Sequence, residues 1–334
     1  MSQPLLSVRD LEVRFTMANA ATWPWQTPPQ VHAVNGVSFD LEKGRTLGIV
    51  GESGCGKSTL IRAIAGLAPL SAGTVTLDGT QVDYARRRDI TALRRSVQMI
   101  FQDPVASLNP RMTIRQAVEE PIATFFPDRP KEDRRKQVRD YLDRVGIAER
   151  NANRYPHEFS GGQCQRIGIA RALAAEPKLL LCDEPVSALD VSIQAQVVNL
   201  LRDLQREMDL TLAFVAHDIG IVRHISDDIL VMYLGGLMEY GPALDVVKRP
   251  RHPYTRALLS AVPVPDPDVT VTPEILVGDL PNPMELPPGC FFQSRCPHAS
   301  DICGAARPEE RALDGSLVAC VKAEQLAEKA ALTG

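Results

Sequence analysis

The chain has 334 residues, of which 44% are hydrophobic and 23% are charged, and its formal net charge is -4. This length allows more than one minimal domain with a large core, and the lack of a basic bias argues against nucleic acid as the main partner. No apolar run reaches the ~20 residues that a membrane-spanning helix needs, and Met1–Asp10 lacks the layout of a signal peptide. We therefore expect the chain to stay in the cytosol and to reach a membrane only through partner proteins.

The first hundred residues predict a set of strands that surrounds one strand–loop–helix unit. Apolar patterns predict five strands, over Leu5–Phe15, Val37–Leu41, Thr46–Val50, Gly73–Leu77 and Ser96–Phe101. A helix is predicted over Ser58–Leu67. The proline-containing segment 18–32, which carries Trp23 and Trp25, predicts a long surface loop. These tryptophans are suited to contact with a partner protein or a bilayer interface. An exposed loop without a function explains them equally well.

The middle of the chain predicts a mostly helical region followed by strand–helix alternation. Helices are predicted over Thr113–Glu120, Lys131–Val145, Gln163–Ala175 and Ile193–Glu207. Apolar strands are predicted over Leu179–Cys182 and Leu212–Ala216, and a closing hairpin over Ile229–Tyr233 and Leu237–Tyr240. This alternation indicates a parallel α/β sheet. Eight prolines between Pro263 and Pro288 then predict an extended linker.

The most specific motif is a glycine-rich loop between a predicted strand and a predicted helix. It consists of Gly51, Glu52, Ser53, Gly54, Cys55, Gly56, Lys57, Ser58 and Thr59. The spacing fits a phosphate-binding loop, in which glycines let several backbone N–H groups point at one anion. Lys57 is then placed to reach the β- and γ-phosphates, and the Ser58 hydroxyl to bind Mg²⁺.

Polar residues follow three of the predicted strands at their carboxyl ends. Asp183 and Glu184 come after Leu179–Cys182, and His217 and Gln102 follow two other strands. Ligands bind at this edge of α/β sheets, so we expect Asp183 to hold Mg²⁺ and Glu184 to polarise an attacking water. His217 is expected to hydrogen-bond the γ-phosphate, and Gln102 to reach Mg²⁺ or the water. A lone histidine at a strand end is more often structural, and only its position beside the other motifs favours this role.

A second glycine-rich helix start follows at Ser160, Gly161, Gly162 and Gln163. Serine is a favoured N-cap and the glycines leave backbone N–H groups free, so this segment is a second potential anion site. A simple helix cap explains the same residues when they are taken alone.

These motifs occur in the order found in ABC-type ATPases, which the chain resembles over roughly residues 5–260. The matching motifs are the Walker A loop Gly51–Thr59, the Q-loop Gln102, the signature Ser160–Gln163, the Walker B pair Asp183 and Glu184, the D-loop Ser187–Asp190 and the switch His217. Phe159 stands where the family usually has Leu. The resemblance implies a RecA-like parallel-sheet core, an antiparallel β subdomain and a helical subdomain at about residues 103–175. It also implies a head-to-tail dimer in which Ser160–Gln163 closes over ATP on the other subunit, and Phe15 stacking on adenine.

A closer resemblance is to the ATP-binding subunits of bacterial oligopeptide, dipeptide and nickel importers. It rests on Phe101–Pro104, on Ser107–Arg111, on His252–Thr255 and on the cysteine-bearing tail after Pro287. Arg166–Leu173 further resembles the second subunit of an unlike ATPase pair. The resemblance implies peripheral attachment to the cytoplasmic face of the inner membrane, two permease subunits, an extracytoplasmic substrate-binding protein and no nucleic acid. Peptides are the first expected substrate, followed by nickel and glutathione-like compounds.

Four cysteines cluster in the tail, at Cys290, Cys296, Cys303 and Cys320. Four thiolates suit a [4Fe–4S] cluster or a structural zinc, and unmetallated thiols remain the third alternative. Paired C-x-x-C knuckles, usual for zinc ribbons, are missing, and His298 is an alternative ligand. The resemblance to the importers implies the [4Fe–4S] cluster.

Three regions are therefore predicted: an ATP-binding domain over residues 1–260, a proline-rich linker over 261–289 and a cysteine-rich extension over 290–334. One rival interpretation is a soluble ABC-type ATPase that acts on nucleic acid or ribosomes. Against it, the chain holds a single cassette, and the roughly 100 residues between the phosphate loop and the signature lack sustained heptads. Another rival is an iron–sulfur regulatory protein whose ATPase activity is incidental.

Overall fold

The computed structural model describes residues 3–17, 28–261, 276 and 278–327. In these ranges the strands are β1 Leu6–Thr16, β2 Gln30–Leu41, β3 Thr46–Val50, β4 Ala72–Leu77, β5 Thr80–Gln81, β6 Val97–Ile100, β7 Leu179–Asp183, β8 Thr211–Val215, β9 Asp228–Tyr233, β10 Gly236–Pro242, β11 Arg311–Leu313 and β12 Ser316–Val318. The helices are α1 Lys57–Ile64, α2 Arg87–Ser96, α3 Ile114–Phe125, α4 Lys131–Arg144, α5 Gly161–Leu173, α6 Val191–Met208, α7 Ile219–Ile225, α8 Ala243–Lys248, α9 Pro253–Ser260 and α10 Asp301–Ala305.

The central sheet has eight strands in the order β11-β12-β10-β9-β3-β8-β7-β6. The pairs from β9 to β6 are all parallel, and every residue of β3, β7 and β8 is buried. Such continuous apolar strands are typical of a parallel sheet that is covered on both faces. The carboxyl ends of β3, β6, β7 and β8 therefore meet at one edge, where the predicted site residues follow them.

A second, antiparallel sheet has the order β2-β1-β4-β5. Helix α1 touches strands of both sheets, and its residues Leu60, Ile61, Ala63 and Ile64 are fully buried. One apolar cluster thus joins the two sheets around α1. The helix directly after the phosphate loop is thereby fixed by packing on both sides, which holds the loop itself.

The helical region is built from α3, α4 and α5, which pack against one another. Thr113 caps α3 in a reciprocal hydrogen-bond pair with Gln116, and Pro130 precedes α4. Helix α5 also touches β6, and its residues Ile167, Ile169 and Ala170 are buried. The predicted helical subdomain is therefore present and rests on the edge of the central sheet.

The C-terminal segment joins the central sheet. Strands β11 and β12 form a hairpin, and β12 pairs with β10 through Glu239 with Val318 and Tyr240 with Leu317. Phe292 is fully buried and packs against the rings of Tyr233 and Tyr254. The segment after the linker thus shares its core with the ATP-binding domain, although the division of the chain into three regions stays a prediction.

Most predicted elements are confirmed to within a few residues, and the differences have local causes. Helix α2 was not predicted, since Leu93 is its only fully buried residue and it carries no apolar stripe. Strand β2 begins at Gln30, inside the segment predicted as a loop. Trp23 and Trp25 lie outside the described residues. Within the described ranges, no helix is both long and apolar enough to cross a bilayer.

Candidate functional site

The glycine-rich loop connects β3 to α1, and its glycines are required by close backbone packing. Gly51 and Gly56 have φ angles of +153° and +101°. A Cβ atom on Gly56 would lie 2.1 Å from the Ala33 carbonyl oxygen, and one on Gly51 would lie 2.2 Å from that of Met232. No other residue type can adopt this loop without displacing β2 or β9.

Lys57 lies at the start of α1 and is only 3% exposed. Its Nζ donates to the carbonyl oxygens of Gly51 at 2.8 Å and Glu52 at 2.9 Å. The ammonium therefore sits inside the curve of the loop. A cation beside backbone N–H groups and a helix N-terminus is an arrangement that binds phosphate.

Asp183 ends β7 and is fully buried between two donors from α1. The Ser58 hydroxyl donates to its Oδ1 at 2.5 Å, and the Nη2 of Arg62 donates to its Oδ2 at 2.8 Å. These contacts compensate the buried carboxylate. The hydroxyl and carboxylate oxygens lie side by side, and both are ligands that Mg²⁺ prefers. Sequence reasoning missed Arg62, although its position four residues after Ser58 places it on the same helix face.

Glu184 is the centre of a second group, which comes from three strand ends. Its Oε2 accepts from the Nε2 of Gln102 at 2.9 Å and lies 2.6 Å from the Nε2 of His217. Glu184 is 5% exposed, and its φ of +49° is in the left-handed region, which is uncommon for a non-glycine residue. Such backbone strain is concentrated at functional sites. The structure thus brings together Glu184, predicted to polarise the attacking water, Gln102, predicted to reach Mg²⁺ or that water, and His217, predicted to hydrogen-bond the γ-phosphate.

The phosphate loop and the group around Glu184 line one cleft with a volume of about 470 Å³, and the buried Asp183 contacts the lining residue Ser58. The predicted residues on its walls are Phe15, Ser53, Gly54, Gly56, Lys57, Ser58, Thr59, Gln102, Glu184 and His217. Residues missed by sequence reasoning complete the walls: they are Val31, His32, Ala33, Leu234, Gly235 and Pro283. Pro283 comes from the predicted linker, and its carbonyl oxygen accepts from the His32 N–H at 2.9 Å. No pattern near either residue indicates this contact, because it joins segments far apart in the chain.

Two sets of predicted residues take other positions. The Cys55 side chain is buried in the apolar cluster around α1, where burial raises the pKa of its thiol. Ser160 caps α5 in a reciprocal hydrogen-bond pair with Gln163, which leaves Gly161 and Gly162 at the helix start. None of these four signature residues is among the residues that line the cleft. That Ser160–Gln163 closes over ATP bound to a second subunit remains a prediction.

The four tail cysteines line one small cavity, together with His252, Phe292 and His298. Cys290 and Cys303 are buried, and Cys296 and Cys320 are partly exposed. Burial, with the neighbouring thiols as a smaller cause, raises the pKa of Cys290 to about 11. Across the described part of the chain, however, no three His, Cys, Asp or Glu side chains are grouped closely enough to hold a metal ion. The donor chemistry fits an iron–sulfur cluster or zinc, and the cluster stays a prediction.

Comparison with known proteins agrees with this geometry. Residues 34–187 match the family described as ABC transporter, and residues 238–303 match the oligopeptide/dipeptide transporter C-terminal region. The chain is 53% identical to the oligopeptide transport ATP-binding protein OppF of Escherichia coli (strain K12), over 96% of this chain and 97% of that protein. It is 47% identical to the di/tripeptide transport ATP-binding protein DppF of Pseudomonas aeruginosa (strain UCBPP-PA14), over 97% and 99%.

Solved structures give the same fold. The cbiO1 protein of Clostridium perfringens, part of the ABC transporter complex cbiONQ, superposes with a TM-score of 0.64 at 31% identity, over 74% of this chain and 92% of that one. The ATP-binding cassette MJ0796, in a dimer bound to ADP and Pi, superposes with a TM-score of 0.62 at 29% identity, over 71% and 98%.

Proposed function

We propose a function from the family to which this chain belongs: it is one of the ABC transporter ATP-binding proteins of the oligopeptide/dipeptide group, and as such an ATPase. Its ATP hydrolysis powers the import of peptides through a membrane transporter. The observation that carries the proposal is that Lys57 and Glu184 line one cleft and that Asp183 is bonded to the lining residue Ser58. The chain is also about half identical to peptide-transport relatives over nearly its full length.

In the proposed reaction, the loop from Gly51 to Thr59 binds the phosphates of ATP and Lys57 pairs with the β- and γ-phosphates. Ser58, Gln102 and Asp183 would hold Mg²⁺, which supplies charge neutralisation on the phosphates. Glu184 accepts a proton from the attacking water as a general base. Gln102 and His217, whose side chains already contact the Glu184 carboxylate, orient that water and the γ-phosphate. Phe15, on the opposite wall, stacks on the adenine.

The complete site is proposed to need a second ATPase subunit, which is an unlike chain. Its signature helix would close over this cleft, and Ser160–Gln163 of this chain would close over the partner's ATP. ATP binding closes the pair and hydrolysis reopens it. The chain lies on the cytoplasmic face of the inner membrane, where two membrane permease subunits receive the motion. An extracytoplasmic binding protein delivers the peptide.

Affinity purification of the chain from native membranes in mild detergent tests the transport assignment. Two multi-span membrane proteins and a second, unlike ATPase are expected by mass spectrometry. Ribosomes, DNA or no partner at all would favour the soluble ABC ATPase and overturn the transport proposal. Uptake of radiolabelled dipeptide and oligopeptide, compared with nickel and glutathione in cells that lack the chain, then identifies the substrate class.

We further propose that Cys290, Cys296, Cys303 and Cys320 hold a [4Fe–4S] cluster. Supporting this are four thiols that line one cavity in a segment packed into the core. Protein purified without oxygen should absorb broadly near ~400 nm and contain iron and sulfide. The Cys296→Ser variant should lose both, whereas Cys182→Ser, which changes a cysteine inside β7, should keep them. Folded protein that contains zinc or no metal would refute the cluster.

A further inference from the structure

The C-terminal segment contacts the phosphate loop through one arginine. Arg295 lies in the short turn that precedes Cys296, and its side chain is 8% exposed. Its guanidinium donates to the Oε2 of Glu52 at 2.7 Å, a contact between residues 243 positions apart. Glu52 is the second residue of the loop that follows β3. One side chain of the tail therefore contacts the ATP-binding loop directly.

The contact is supported by a buried aromatic group. The same nitrogen of Arg295 also reaches the Tyr233 hydroxyl at 3.4 Å, and the Glu52 N–H donates to the Tyr254 hydroxyl at 2.8 Å. Tyr233, Tyr254 and Phe292 pack ring against ring and are all fully buried. Both the backbone and the carboxylate of Glu52 are therefore held by groups that cannot move freely.

The charge of Glu52 gives this contact a consequence for ATP. A carboxylate within a loop that binds a polyanion opposes binding, unless a cation compensates it. Lys57 does not compensate it, because its Nζ contacts the Glu52 carbonyl oxygen and not the carboxylate. Arg295 is the cation that contacts the carboxylate itself, and the low exposure of Arg295 limits screening by solvent.

We propose that Arg295 is a positioning residue for ATP binding: by pairing with Glu52 it neutralises the charge of the loop and fixes the loop backbone. The C-terminal segment is then a working part of the nucleotide site. This inference rests on the proposed binding of ATP by the loop.

A mutant cycle on the full-length chain tests the inference, with MgATP affinity measured by titration calorimetry. Arg295→Gln is expected to weaken MgATP binding about fivefold or more, a value at the lower end of typical coupling between sites. Adding Glu52→Gln removes the uncompensated charge, so the double variant should recover at least half of the loss on a logarithmic scale. Arg311→Gln, which removes an exposed arginine of the same segment, is the control and should bind as the wild type does.

If the C-terminal segment only stabilised the fold, the MgATP affinities of the variants would follow a different pattern. Arg295→Gln would then bind MgATP normally once folded, or the second substitution would add a further loss, and either result overturns the proposal. If Arg295→Gln does not fold, the cycle is run with Arg295→Met, which keeps the apolar stem of the side chain and removes its charge. Wild-type affinity in that variant, or no recovery with Glu52→Gln, also overturns it. A wild-type chain that fails to bind MgATP would overturn the proposed function, and this inference with it.

Discussion

Replacing Glu184 by glutamine should separate ATP binding from ATP hydrolysis. The amide has the same size, and its oxygen can take the place of Oε2, the atom that both Gln102 and His217 contact. Both contacts become weaker because the acceptor is no longer charged, which should cost about 1 kcal/mol of stability, and a domain of this size tolerates such a loss. The amide cannot accept a proton from water, however. Removal of a general base slows a reaction by about 10²–10⁴-fold, which is roughly 3–5 kcal/mol of activation free energy.

The assay is steady-state phosphate release by the purified chain or its complex, with MgATP affinity measured in parallel. Glu184→Gln should keep its affinity within about threefold, because the residue does not contact the phosphate-binding backbone. Glu207→Gln is the matched control, since Glu207 is an exposed carboxylate at the end of α6 that pairs only with Arg144 on the surface. Turnover by Glu184→Gln within about tenfold of the wild type would refute Glu184 as the base.

Three further predictions concern the core, the loop and the thiols. Phe292→Ala should lower the free energy of unfolding by about 3–5 kcal/mol in urea titrations. The control Ile302→Ala, at an exposed site, should change it by less than about 0.5 kcal/mol. A loss below about 1 kcal/mol in Phe292→Ala would contradict a core shared by the two parts of the chain. Gly56→Ala should abolish MgATP binding in calorimetry, because its methyl group would lie 2.1 Å from the Ala33 carbonyl oxygen. The control Gly315→Ala, also at a positive φ but in open space, should bind MgATP normally. MgATP binding by both variants would show that the loop can adapt to a side chain. N-Ethylmaleimide at pH 8 should modify metal-free protein at Cys296 before Cys55, because Cys55 is buried whereas Cys296 is partly exposed. Rapid labelling of Cys55 in peptide maps would argue for an open loop.

The sequence predicts the nucleotide cleft well because its parts are local signals joined by a simple topological rule. Each of Gln102, Glu184 and His217 follows an apolar strand, and parallel strands bring their carboxyl ends to one edge. The contacts of the C-terminal segment have no such rule. Strands β11 and β12 have three residues each, too few for a period to appear, and their position depends on the free edge of β10.

The contact between Arg295 and Glu52 is unpredictable for a related reason. Neither residue stands out from ordinary surface charge in its own neighbourhood. The pair is brought together by β9, which pairs with β3 just before Glu52 and carries Tyr233 beside Arg295. The four tail cysteines line one cavity, but within the described residues they are not grouped closely enough to hold a metal ion, so the cluster indicated by their number stays a prediction. What occupies that cavity depends on chemistry that spacing alone does not determine.

The pairing of β12 with β10 also bears on how the chain can be shortened. A protein that stops at the proline-rich segment would expose the backbone N–H and C=O groups of Glu239 and Tyr240 that now bond to β12. It would also leave the rings of Tyr233 and Tyr254 without Phe292. An unpaired edge beside an uncovered aromatic surface is a template for strand addition from another molecule. The isolated cassette should therefore aggregate, and residues 290–334 belong in any expression of this protein.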